Sequence, residues 1–76
     1  MTTNYPTIYF QHILQYFLSN LSYLGTGDNQ ELVFTLPKSY QYIIIFIADN
    51  FVYIQGDFEI LNQLRQHLLQ LNIHNP

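Results

Sequence analysis

The chain has 76 residues, enough for one domain, and a domain of that size buries roughly 60–65% of the surface its unfolded form exposes. Lys, Arg, Asp and Glu make up 9% of it, against about 25% in an average globular domain, and the net charge is −3. With Lys38 and Arg65 as its only Lys or Arg side chains it cannot neutralise a run of phosphates, which argues against nucleic acid as a partner, and with no cysteine it has neither disulfides nor thiolate metal sites.

Residues 6–24 read as a helix. Pro6 suits a first-turn position, where its missing N–H costs nothing. Phe10, Ile13, Leu14, Phe17, Leu21 and Leu24 follow a 3.6-residue period, and Gly25 stands where a C-terminal glycine stops a helix. Beside this stripe Tyr9, Tyr16 and Tyr23 recur every seven residues. Such a strip suits contact with a partner helix or a second subunit, because Tyr offers apolar area with a polar tip; it equally describes the wet edge of a core. Residues 25–30 form a loop. Its two glycines follow a helix and precede a strand, the reverse of a phosphate-binding loop.

Three strands follow, over residues 31–37, 40–48 and 51–55. The middle one, through Tyr42, Ile43, Ile44, Ile45, Phe46, Ile47 and Ala48, is apolar on both of its faces, which demands cover on both. Asp49-Asn50 is a two-residue hairpin signal, since both residues tolerate positive φ. Asp57 then caps a second helix over residues 57–73, with Glu59 favourably placed in its first turn. Arg65 falls within the apolar arc of that helix, where its head must reach water or pair with a carboxylate, across a dimer interface for example.

No chemistry-bearing constellation emerges. His67 and His74 are seven residues apart on the second helix and share a face, and His12 lies on the other helix, a spacing unlike that of metal-binding histidines. Asp28, Glu31 and Asp49 are expected at one end of the sheet, together with both helix C-termini, and read as loop acids rather than a Ca²⁺ site. There is no nucleophile elbow and no paired-carboxylate motif. The sequence therefore predicts no enzyme activity, no cofactor and no metal.

The expected fold is α+β: one domain over residues 1–76, ordered helix, three-stranded antiparallel meander, helix (αβββα), with both helices on one face of the sheet. A helix on each face is the rival arrangement. In the first case either Ile43, Ile45 and Ile47 or Tyr42, Ile44 and Phe46 stay uncovered. The N-terminal stretch lacks the basic region of a signal peptide, and the longest apolar run is too short to span a bilayer. The expectation is thus a soluble, cytoplasmic, non-enzymatic protein-interaction domain, a homodimer that also engages another protein as adaptor, regulator or inhibitor, with no membrane partner. Its expected interface residues are Tyr9, Tyr16, Tyr23, Tyr42, Ile44, Phe46 and Arg65. The alternative is a small-ligand-binding domain with an apolar pocket between helices and sheet or at a dimer seam.

Overall fold

The computed structural model describes residues 1–39 and 41–74. Its strands are β1 (Thr2–Pro6), β2 (Ser22–Thr26), β3 (Leu32–Thr35), β4 (Tyr42–Ala48) and β5 (Phe51–Gln55), and its helices are α1 (Phe10–Asn20) and α2 (Phe58–Gln70). The class is α+β, as the sequence predicts. The sheet, however, has five antiparallel strands in the order β1-β5-β4-β3-β2, not three, so the αβββα order is corrected. The expected start of a strand at Tyr40 lies outside the described residues.

Both additional strands come from the stretch expected to lead into and form the first helix. β1 pairs along the whole of β5, and a 3-10 turn, Thr7–Tyr9, then leads into α1. The Gly56 N–H donates to the Met1 carbonyl and the Thr7 N–H to the Asn50 carbonyl, which extends this ladder at both ends. By the antiparallel alternation, Pro6 turns its nitrogen outward at the sheet edge, where the missing N–H leaves no ladder bond unmade. At the other end, α1 stops at Asn20, whose side-chain amide donates to the Tyr16 carbonyl at 2.7 Å. Leu21 is extended, with φ −124° and ψ 172°, and the chain enters β2. Gly25 is not a helix stop. It sits in a β-bulge opposite Val33 with φ +128°, a conformation that L side chains rarely adopt.

The rest of the chain follows its local signals. Asp49 and Asn50 have φ of 53° and 68°, the mirror-image turn that matches strand twist. The Asp57 carboxylate accepts from the Glu59 N–H at 3.1 Å and caps α2. β4 is central, with two strands on either side.

The register sorts the side chains. Tyr5, Val52 and Ile47 form one row across the sheet; Thr3, Ile54, Ile45 and Leu32 form the next; Ile43, Phe34 and Tyr23 form a third. Every buried sheet residue (Tyr5, Phe34, Ile43, Ile45, Val52 and Ile54) belongs to this one face. They form a single core cluster with Ile13 and Phe17 of α1 and Ile60, Leu61, Leu64 and Leu68 of α2. The rival arrangement, with a helix on each face, is thereby excluded. The accessible surface of 5087 Å² is close to the roughly 4,900 Å² expected of a folded monomer of this mass, so the core closes within one chain.

The two helices run antiparallel. The α1 residues Tyr16 and Asn20 flank Ile60 and Gln63 of α2, while His12 lies by Leu71. Only the C-terminus of α2 therefore reaches the end of the sheet that carries Asp28, Glu31 and Asp49, correcting the expectation that both would.

Candidate functional site

The face opposite the helices has no cover among the described residues. Its rows are Pro6, Phe51 and Ala48; Asn4, Tyr53 and Phe46; Thr2, Gln55, Ile44 and Val33; and Tyr42, Thr35 and Ser22. None of these is buried. The centre is apolar: Phe46 stacks on Tyr53 with ring centroids 5.1 Å apart and planes 12° apart, and Phe51 approaches Tyr53 at 6.4 Å. Around it Thr2, Asn4, Ser22 and Gln55 supply amides and hydroxyls. The paired rows hold no Asp, Glu, Lys, Arg or His, but Glu31, one residue before β3 and on the same side as Val33, stands at their margin, its carboxylate turned over Gly27 and accepting from the Asn29 N–H. A neutral apolar centre within a polar margin is the layout of an interface, whose core is depleted of charge and enriched in aromatics.

Three of the residues expected at an interface, Tyr42, Ile44 and Phe46, are brought together here, and Tyr42 is 57% exposed. The other four lie elsewhere. The Tyr9–Tyr16–Tyr23 strip does not exist, because its members fall in three different elements: the 3-10 turn, α1 and β2. Tyr9 packs partly buried against the core, and the Tyr23 hydroxyl hydrogen-bonds Thr26 Oγ1 at 3.1 Å while its ring lies 5.2 Å from that of Phe34. Tyr16 faces the helix–helix seam, its ring 4.8 Å from that of His67, and burial there raises its hydroxyl pKa above the ordinary value of 10.0. Arg65 is exposed, as its position on the helix required, and lines a small hollow of about 100 Å³ with Met1 and Phe58 on the helix side of the molecule.

Sequence reasoning missed Tyr53, Phe51 and Val33. The first two were within reach, since alternation along β5 puts them opposite the core residues Val52 and Ile54. Asn4, Pro6 and Ser22 could not be found without β1 and β2.

The helix side carries several open hollows. The helix seam holds two: one of about 470 Å³ where amides and the Asp57 and Glu59 carboxylates meet Leu21, Leu36, Pro37 and Ile60, and one of about 500 Å³ lined largely by amides, hydroxyls and histidines. A third, of about 310 Å³, opens at the end of the sheet between Phe10, Leu32 and the Ile45–Ile47 stretch. Among the described residues no three His, Cys, Asp or Glu side chains group to hold a metal ion. His74 lies beyond the end of α2, so it does not share a helix face with His67. No helix in the described residues is long and apolar enough to cross a membrane. No protein-family model, curated protein or solved structure matches the chain.

Proposed function

We propose that this chain is a non-enzymatic protein-interaction domain that works as a homodimer, with the uncovered sheet face as the contact between copies. The observation that carries the reading is the apolar centre of that face, the Phe46–Tyr53 stack with Phe51, where charge is confined to Glu31 at the margin. Each copy carries a net −3, yet all five acids and both Lys and Arg side chains lie in loops, turns or α2. Two copies placed face to face therefore desolvate no ion at the centre of the contact, and Glu31 stays at its rim.

Geometry supports the same arrangement. Five strands of four to seven residues, about 4.8 Å apart and averaging about 17 Å, present roughly 400 Å² of projected face per copy. The pair would cover roughly 800 Å² in projection, and the corrugation of the side chains must raise this past the roughly 1,000 Å² of a specific interface. Two twisted sheets pack in this way about 10 Å apart with strands about 30° off parallel. The remaining surface is free to engage a second protein, as an adaptor or regulator does, and a cytoplasmic location belongs to the same reading.

Light scattering coupled to gel filtration tests it. The expected mass is twice the 9.1 kDa of the chain. A single-chain mass at micromolar concentration overturns the dimer.

A further inference from the structure

The hollow of about 310 Å³ at the end of the sheet is more apolar than the two at the helix seam. Phe10, Leu32, Ile45, Phe46 and Ile47 line it, with Asn29 and Gln30 of the β2–β3 loop alongside. Ile47 is 55% exposed although it points to the helix side, so this corner of the core face is left unfilled. Ile8 is the most exposed large apolar residue at 77%, and it is carried to the same end by the bond from the Thr7 N–H to Asn50.

Charge is distributed unevenly around this hollow. Asp28 and Glu31 bracket Asn29 and Gln30 in the loop that lines it, and Asp49 follows Ile47 by two residues. Three of the five acids are thus at this end. Lys38 is in the β3–β4 connection at the opposite end, Arg65 lies beside Met1, and Met1 pairs with Gly56, also away from it. Helix α1 starts at this end and α2 finishes there, so their dipoles offset one another and the carboxylates set the field.

We infer that this hollow is a docking site for an extended segment of another protein in which a bulky apolar side chain is flanked by Lys or Arg. The apolar side chain fills the corner over Ile47, and the basic neighbours face Asp28 and Asp49. The inference names the client of the interaction domain and rests on that reading; Phe46 of the open face borders the hollow, so solution mass and peptide binding are read separately.

The test is selection from a randomised peptide display library on the purified chain, followed by fluorescence titration of a selected peptide. Selected peptides are expected to share an apolar residue between basic ones. Ile47→Gln should weaken binding about tenfold, by removing the apolar wall. Asp28→Asn with Asp49→Asn should weaken it several-fold and flatten its dependence on salt. Tyr42→Asp, on the other face and at the far end of the sheet, should leave it unchanged, and solution mass on the same samples keeps a failed dimer distinct from a failed docking site. A library that enriches no peptide, peptides without the basic flanks, or affinity that survives Ile47→Gln each overturns the inference. A thermal shift with small apolar compounds but no peptide binding also overturns it and assigns the hollow to a small ligand.

Discussion

Phe46 and Tyr53 stack nearly parallel across β4 and β5, 5.1 Å between centroids, on the sheet face that neither helix covers. The pair is local, formed within one hairpin, and it offers a flat apolar platform to whatever lies above. Phe46 is 37% exposed, so removing it opens no cavity in the closed core. Phe46→Asp should keep the far-ultraviolet circular dichroism and a cooperative unfolding transition, yet give the mass of one chain. Retention of the doubled mass would take this face out of the interface.

Phe34 joins the halves of the core. It is fully buried, its ring lies 5.7 Å from that of Phe17 below α1 and 5.2 Å from that of Tyr23 on β2, and it faces Ile43 across the sheet. Phe34→Ala should cost about 3–5 kcal/mol. A domain of this length has about 4–11 kcal/mol in all, so that variant approaches unfolding. Phe34→Leu should cost about 1 kcal/mol and stay folded. Urea denaturation ranks the three; equal midpoints for wild type and the alanine variant would contradict this account of the core.

The half of the chain that the sequence made legible is the half whose local signals agree with its tertiary surroundings. Asp49-Asn50 forms its turn, Asp57 caps its helix, and the alternation of β4 and β5 matches their faces. In the first half two influences compete. The stripe from Phe10 through Leu24 has helical spacing to its end, yet after Asn20 the backbone gains more from the free edge of β3 than from another helical turn. Neither Gly nor Pro marks the break. Pro6 is equally at home at a helix start or on a strand edge, and only pairing with β5 decides between them. Thr2, Thr3 and Tyr5 are strand-favouring residues, the one local hint of β1. The two-faced strand announced an uncovered face, but which face depended on where the helices lie, and that is fixed by long-range packing of Phe17, Leu64 and Leu68.

The turn between β4 and β5 gives a test of local conformation alone. Asn50 is exposed, its φ is 68°, and its contact with Thr7 uses the backbone carbonyl, which any residue retains. Asn50→Ala should therefore lower stability by about 1 kcal/mol, the cost of a left-handed conformation for a residue with an ordinary Cβ. Asn50→Gly should match the wild type or exceed it. An alanine variant as stable as the wild type would mean that the turn relaxes to another type.

Tyr16 links the helix seam to pH. Burial beside His67 raises its hydroxyl pKa above 10.0, so the folded chain holds that proton more tightly than the unfolded one. The contribution is fully present below about pH 10, the unfolded pKa, and is lost as pH climbs through the folded value. The residue is only partly buried, so the effect is small and is read as a difference between variants. Tyr16→Phe keeps the ring on His67 and removes the titration. Between about pH 9 and about pH 11 the wild type should therefore lose more stability than Tyr16→Phe, measured as the shift in urea midpoint. Identical shifts would place the Tyr16 hydroxyl in water, and with it the outer edge of the seam between α1 and α2.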